Sequence, residues 1–188
     1  MRGAGITVTA VRSRKGRTSM RWVPGITACG ECGFAWDMPY DEAVATVRDA
    51  LELVQQACGG APSHKHAGDL RWTPCEYAWH LADAIRIGAE RLWMTIHVPA
   101  ARLVCFDEVG LAAARHYDEL PPVAALWSLT RAVADFEAAA QGAPSKPSEP
   151  ALAVARRVAH EVWHHCGDMG AERTTSAMLG EPRGDGGS

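Results

Sequence analysis

The chain has 188 residues, of which 47% are hydrophobic, and a formal net charge of −3. Its length is sufficient for one domain with a substantial core, and its charge excludes a protein that binds polyanions or membranes through a large overall charge. No apolar run approaches the ~20 residues of a membrane helix, and the apolar segment near the N-terminus is too short and weak for a secretion signal. We therefore expect a cytoplasmic protein.

The first 24 residues contain basic side chains and no acidic one, because the first acid in the chain is Glu31. A basic arm can bind nucleic acid, but the simpler interpretation is a solvated segment, and we expect residues 1–24 to be flexible. Residues 25–40 follow as a compact element that contains Cys29 and Cys32. Six cysteines could form three disulfides. In a cytoplasmic chain of this length, free thiols or metal ligands are the better expectation.

Two helices are predicted in the first half of the chain. Residues 41–58 place apolar side chains at helical spacing, and Gly59 and Gly60 end this helix. A capping box at Thr73 and Glu76 begins the second helix, which continues to about residue 97.

Two further helices are predicted in the second half. One follows Pro121 and Pro122 and ends near Gly142, and the other begins near residue 150 after a cap at Ser148. Between residues 98 and 120 the pattern is irregular, and we expect a short strand in ARLVCF and a helical turn in GLAAARHY.

This order of elements predicts an all-α fold. Strand signals are sparse, and four helices joined in this way form an antiparallel four-helix bundle with one longer crossover. We expect the bundle over residues 41–170, a short CxxC element before it, and a flexible tail over residues 171–188.

The segment AHEVWHHCGDMG, residues 159–170, concentrates groups that bind metals. His160 and His164 stand one helical turn apart on the same face and can share a divalent ion. The HExxH motif of zinc proteases is another interpretation, but the longer protease motif needs a histidine where this chain has Gly170. We therefore reject a protease. Glu161 is rotated by about 100° from His160, and its simplest interpretation is a surface acid paired with Arg157.

A third ligand is expected from another helix. His80 lies in the middle of the second predicted helix among apolar neighbours, and bundles build metal sites from facing helices. Three histidines leave coordination positions open, which is a catalytic arrangement, and zinc or nickel suits neutral imidazoles. Asp83 lies one turn from His80 and either orients its ring or is a solvated acid.

Cys29 and Cys32 are spaced so that both thiolates can bind one metal. Because the chain has no second CxxC, the other ligands must come from elsewhere. The candidates are His64, His66, His165 and Cys166 for a separate zinc, or the bundle histidines for a shared one. A redox pair is a further interpretation, although the βαβ context of such pairs is missing. We favour a joint Cys/His site, whose closed shell would make the metal structural.

The segments RWTPCEYAWHLADAIRIGAERL and VARRVAHEVWHHCGDM resemble the DinB-like superfamily of four-helix bundles. That family combines a Trp-Ser/Thr-x-x-Glu-x-x-x-His segment on its second helix with a His-x-x-x-His segment on a later one, and the match covers about residues 41–170. The resemblance implies a metal held by His80, His160 and His164. The N-terminal Cys-x-x-Cys-Gly-Phe followed by an Asp is similar to an actinobacterial subgroup of these proteins.

The superfamily includes thiol-dependent S-transferases and a maleylpyruvate isomerase that use mycothiol or bacillithiol. The resemblance therefore implies a zinc (or nickel) enzyme that acts on a small molecule, with a low-molecular-weight thiol as a second cofactor. A lyase, isomerase or hydrolase step fits the same site. The reacting group would be a metal-bound water or thiol, with Glu161 and Asp83 as candidate helpers.

The alternative is a non-catalytic, zinc-stabilised bundle that acts as a binding or regulatory module. Coordination number separates the two hypotheses, because three protein ligands and a water favour catalysis and four protein ligands favour structure. We expect a small-molecule substrate and no membrane or nucleic-acid partner, and a homodimer is compatible with the pattern.

Overall fold

The computed structural model describes residues 27–66, 68–98, 102–104 and 106–171, together with the backbone of residues 8–12 and 18–22. Six helices make up most of this part of the chain: α1 Tyr40–Arg48, α2 Ala50–Cys58, α3 Pro74–His97, α4 Glu108–Arg115, α5 Pro122–Gln141 and α6 Glu149–Asp168. Two strands, β1 Val8–Arg12 and β2 Thr18–Trp22, pair as an antiparallel hairpin. The helical content confirms the predicted all-α class. None of the described helices has the length and apolarity needed to cross a membrane.

The predicted starts of α3 and α6 are confirmed by their caps. The Thr73 hydroxyl accepts a hydrogen bond from the Glu76 amide at 3.3 Å, and the Glu76 carboxylate accepts one from the Thr73 amide at 2.8 Å. This is the reciprocal pair of a capping box. At α6, the Ser148 hydroxyl accepts a hydrogen bond from the Ala151 amide at 3.4 Å. Both helices have a proline in the first turn, where its missing N–H costs nothing.

Other elements differ from the prediction. The single helix expected over 41–58 is divided at Asp49, although the Asp49 amide still donates to the Ala45 carbonyl at 3.1 Å, so the helical path continues. The helical turn expected after residue 110 is the longer α4, capped by the Asp107 side chain. Residues 102–104 form no strand, and Ala101 and Cys105 lie outside the described residues. The hairpin within the predicted basic arm was not expected, and residues 172–188 also lie outside the described part.

The crossover sets the direction of the helices. The Cys75 thiol lies 3.6 Å from the Leu120 carbonyl at the start of α5, whereas the His97 ring at the far end of α3 lies beside Gly142 at the end of α5. Helices α3 and α5 therefore run parallel, and the segment that joins them is a long crossover, as expected for residues 98–120. The segment between them must return the chain to the end where α3 began. Helix α6 runs antiparallel to α3, because Glu161 meets His80 and Val158 meets Gly88 further along α3.

The residues that precede α1 are part of the core. Phe34, Trp36 and Met38 are buried among the helices. Arg156 on α6 donates hydrogen bonds to the Met38 carbonyl at 2.6 Å and to the Asp37 carbonyl at 2.9 Å. Residues 27–39, called here the CxxC element, are thereby docked along α6, and this docking brings the two cysteines to the histidine-rich helix.

Candidate metal centres

Four of the predicted ligands converge at one place. One ligand atom from each of Cys29, Cys32, His160 and His164 lies within 4.8 Å of all the others. We call this group the four-ligand site. A tight turn presents the cysteines: the Gly33 amide donates to the Cys29 carbonyl at 2.9 Å, and Gly33 has φ +72°, a conformation that glycine adopts without strain.

Unpartnered nitrogens mark the four-ligand site as suited to a metal. Both ring nitrogens of His160 and the Nδ1 atom of His164 are buried and have no hydrogen-bonding partner in the described structure. A buried polar atom without a partner costs about 1–3 kcal/mol, and an imidazole lone pair bound to a metal removes that cost. Two thiolates and two imidazoles are a donor set typical of tetrahedral structural zinc.

The surroundings of the four-ligand site hold its histidines in place. The Trp36 ring stacks on His160 with centroids 4.6 Å apart, and Phe34 meets the same ring edge-on. The Nε2 atom of His164 lies 3.6 Å from the Asp168 carboxylate and 3.6 Å from that of Glu31. Carboxylates in this position fix the orientation of a ligating imidazole and raise its basicity.

Electrostatics favour the ligand forms of Cys29 and His164. Burial alone would raise the pKa of the Cys29 thiol, but the hydrogen bonds that the Cys32 and Glu31 backbone donates to it outweigh burial. Together with the proximity of the His160 ring, they lower the pKa to about 7. Burial lowers the pKa of His164, and neighbouring histidines add to the effect against the pull of Asp168. A thiolate and a neutral imidazole are the forms that bind metals.

A second cluster lies between α3 and α6. Its members are His80, Glu161 and His165, whose ligand atoms also lie within 4.8 Å of one another. We call it the three-ligand site. The Oε2 atom of Glu161 is 3.3 Å from His80 Nε2 and 3.3 Å from His165 Nε2. His80 is 1% exposed and Glu161 is 6% exposed, so the cluster is buried.

The distances in the three-ligand site fit a bound ion. A typical N–H···O hydrogen bond is about 2.9 Å long, and both contacts of Glu161 exceed that. Two ligands held at a tetrahedral angle by bonds of about 2.0–2.1 Å stand about 3.3 Å apart. The two contacts of Glu161, each 3.3 Å long, therefore equal the spacing of two ligands of one small divalent ion.

Arg157 provides the counter-charge for the buried carboxylate. Its Nη2 atom is 2.5 Å from Glu161 Oε1 and 3.3 Å from Glu108 Oε1 on α4. Burial would raise the pKa of Glu161, but Arg157 and the surrounding histidines hold it well below its usual value. Burial lowers the pKa of His165, yet Asp168 and Glu161 overcome this and raise it to about 9. In the absence of a metal, Glu161 is thus an anion that faces a protonated His165.

The structure separates His80 from the histidines with which the sequence grouped it. The pairs His160/His164 and Glu161/His165 both have a spacing of four, but they are offset by one residue and so by about 100° around α6. The first pair faces the CxxC element, and the second faces His80 on α3. Glu161 does pair with Arg157, as predicted, but it is buried rather than on the surface.

His165 and Asp83 have surroundings that differ from those expected from the sequence. His165 is expected from the sequence only as a candidate ligand of a separate cysteine site; the spacing of four between Glu161 and His165 is the signal that could place it in the three-ligand site. Asp83 is buried, and its carboxylate accepts hydrogen bonds from the Tyr117 hydroxyl at 2.5 Å and from Arg86 at 3.1 Å, and it also pairs with Arg115. Asp83 therefore anchors the crossover to α3 rather than orienting His80.

Comparison with protein-family models, with curated proteins and with solved structures finds no match to this chain.

Proposed function

We propose that the protein is a DinB-like four-helix bundle that binds two divalent metals along α6, a structural zinc in the four-ligand site and a catalytic metal in the three-ligand site. The observation that carries the proposal is the division of the ligands into one set of four and one set of three. A set of four protein ligands closes a tetrahedral shell, whereas a set of three leaves a position for water or substrate.

The four-ligand site serves to hold the CxxC element on α6. The element contributes Phe34, Trp36 and Met38 to the core but has no helix or strand that would fix it by itself. Two thiolates from this element and two imidazoles from α6 join the two segments through one ion. A structural zinc with this role agrees with the joint Cys/His site that the sequence analysis favours.

The three-ligand site has the features of a reaction centre. His80 and His165 offer imidazole nitrogens, and Glu161 offers one carboxylate oxygen while Arg157 pairs with the other. A metal held there would act as a Lewis acid that activates a water or a thiol near neutral pH. The protein would hold the ligands in position, balance the buried carboxylate with Arg157, and exclude bulk water from the site.

The reaction class follows from the resemblance to thiol-dependent DinB-like enzymes. We propose the transfer of a low-molecular-weight thiol to a small electrophile, or an isomerase or lyase step that proceeds through such an adduct. The second candidate function is a metal-stabilised binding or regulatory module. The closed four-ligand site favours it, because that site alone would give a stable bundle with no open coordination position.

Cobalt substitution and metal analysis test the proposal. The purified protein should contain about two metal equivalents, and its cobalt form should show a thiolate charge-transfer band from the four-ligand site. Cys29→Ser should remove that band, and His165→Ala should leave it unchanged while removing one metal. A metal-dependent loss of thiol in the presence of a small electrophile, abolished by His165→Ala, would support the enzyme. One metal per chain with the thiolate band and no such reaction would favour the module instead.

A further inference from the structure

Cys29 and Cys32 are placed where they can react with each other. They lie at the two ends of one tight turn, with ligand atoms within 4.8 Å, and both are half-buried. A disulfide needs the two sulfur atoms about 2.05 Å apart, and because both cysteines belong to one turn, bringing their sulfurs together requires no movement of a helix. In contrast, Cys75 and Cys166 are fully buried.

The same pair supports the attachment of the CxxC element to α6. The Trp163 indole on α6 donates a hydrogen bond to the Cys32 carbonyl at 3.1 Å. Trp36 stacks on His160, a ligand of the four-ligand site. A change in the bonding of the cysteines therefore acts directly on contacts between this element and the metal-binding helix.

The two metal sites are in contact through the last turn of α6. The Asp168 carboxylate lies 3.6 Å from Nε2 of His164, in the four-ligand site, and 3.1 Å from Nδ1 of His165, in the three-ligand site. The rings of the two histidines are 5.1 Å apart. A shift of His164 that follows loss of its metal is therefore transmitted to His165.

We propose that Cys29 and Cys32 form a reversible, peroxide-sensitive switch, in which their oxidation to a disulfide releases zinc from the four-ligand site and weakens metal binding in the three-ligand site. This inference rests on the proposed zinc in the four-ligand site. The partner it assigns is a hydroperoxide, and the consequence is redox control of the neighbouring centre.

The chemistry balances with one peroxide for each pair. One cysteine sulfur attacks an oxygen of the hydroperoxide, the O–O bond breaks, and the sulfur becomes a sulfenic acid while water or an alcohol leaves. The second sulfur attacks the sulfenic sulfur, the S–S bond forms, and the S–OH oxygen departs as water. Two zinc-bound thiolates are oxidised, one peroxide is reduced with the uptake of two protons from solvent, and the zinc leaves as Zn²⁺ without a change of oxidation state. Disulfide sulfur is not a thiolate ligand, so the site loses two of its four ligands.

The test uses the zinc-loaded full-length protein and limiting hydrogen peroxide, followed by removal of the peroxide with catalase. A chromogenic chelator measures released zinc, and peptide mapping under non-reducing conditions locates any disulfide. We expect one zinc released for each Cys29–Cys32 disulfide, and rebinding of zinc after reduction with dithiothreitol. The affinity of the three-ligand site for its metal, measured at equilibrium by competition with a chelator, should fall about fivefold or more, the lower end of usual coupling between sites.

Cys58→Ser is the matched control, because it removes another half-buried thiol outside both metal sites. This variant should release zinc as the wild type does. Zinc that stays bound until the cysteines reach sulfinic acid, or zinc that leaves with a disulfide elsewhere, would overturn the switch. An unchanged affinity of the three-ligand site for its metal would overturn the coupling between the sites. A cobalt form without a thiolate band would instead show that the proposed four-ligand site is wrong, so the two failures are distinguishable.

Discussion

His164 and His165 are adjacent in the sequence, yet their side chains belong to two different candidate metal sites. His164 joins Cys29, Cys32 and His160, whereas His165 joins His80 and Glu161. Adjacent residues on a helix are separated by about 100°, so one helix can present ligands to two neighbours at once. Because of this relationship, a single substitution can remove a ligand from one site and leave the ligands of the other site intact.

His160→Ala should remove the metal from the four-ligand site and leave the other. The ring supplies one of four ligands, and the remaining two cysteines and His164 do not form a complete tetrahedral shell. Metal content should fall from about two equivalents to about one, as measured by mass spectrometry of metals. His64→Ala is the control, since His64 is exposed and outside both sites. If His160→Ala kept both metals, the four-ligand assignment would be wrong.

Glu161→Gln should lower metal affinity in the three-ligand site without changing the cobalt–thiolate band of the other. An amide oxygen is a weaker ligand than a carboxylate, and Arg157 would lose the charge with which it pairs. We also expect a loss of stability of about 1–3 kcal/mol in the metal-free protein, because a partly buried ion pair is broken. Chelator competition and urea unfolding measure the two effects. A variant that binds both metals with unchanged affinity would remove Glu161 from the ligand set.

The thiols of the metal-free protein should differ strongly in reactivity. Since the pKa of Cys29 is lowered to about 7 and burial raises that of Cys75 to about 11, Cys29 is largely a thiolate at pH 7.5 and Cys75 is not. Alkylation followed by peptide mapping should show Cys29 modified first, at a rate that rises with pH and levels off above about pH 8. Zinc should protect Cys29. Equal rates for the two thiols would show that the turn does not activate Cys29.

The sequence predicted the parts of the fold that depend on local signals. The capping box at Thr73 and Glu76 and the cap at Ser148 are formed by residues three apart, so their effect is visible without tertiary structure. The parallel direction of α3 and α5 depends on the path of the crossover, for which the sequence has no local signal. The break at Asp49 was also missed, because the apolar spacing continues through it.

The sequence predicted those pairs of ligands that residue spacing alone identifies. The His160/His164 pair and the CxxC pair could each be recognised by their spacing, and the structure brings them together. His80 was grouped with His160 and His164, but it lies beside His165 and Glu161, because the rotation of α6 decides which of its faces meets α3 and spacing does not show that rotation. The pairing of Glu161 with Arg157 follows from their spacing of four, but Glu161 was expected on the surface because its burial depends on the packing of α3 against α6, which the sequence does not show.

Metal binding at the three-ligand site should depend on pH through His165. Its pKa in the metal-free protein is raised to about 9, so at pH 7 a metal must displace a proton from this ring. Affinity should therefore rise with pH up to about 9 and then level off, and calorimetry in buffers of different ionisation enthalpy should detect the released proton. The folding stability of the metal-free protein changes with pH in the opposite direction. Because the pKa of His165 is higher in the folded protein than the unfolded value of about 6.5, its protonation stabilises the fold fully below pH 6.5. That stabilisation is lost as the pH rises through about 9. Affinity independent of pH between 6 and 9 would exclude His165 as a ligand.

Gly88→Ala should destabilise the bundle through the contact between α3 and α6. A methyl group on Gly88 would lie 2.3 Å from Cγ2 of Val158, well inside van der Waals contact, so the Val158 side chain or one of the two helices must shift. Overpacking of this kind costs about 1–3 kcal/mol, and it outweighs the gain of up to about 1 kcal/mol from the better helix propensity of alanine. Urea unfolding of the metal-free protein measures the effect.

The double variant Gly88→Ala, Val158→Ala provides the control for that prediction. Removal of the valine methyl groups makes room for the new one. The double variant should therefore lose less free energy of unfolding than the sum of the losses in the two single variants. Because Val158 directly follows Arg156, which docks the CxxC element, and Arg157, which pairs with Glu161, the overpacked variant should also bind metal less tightly. The double variant should recover that affinity. Additive stabilities, with no recovery, would show that this close approach does not determine the spacing of the two helices that form the three-ligand site.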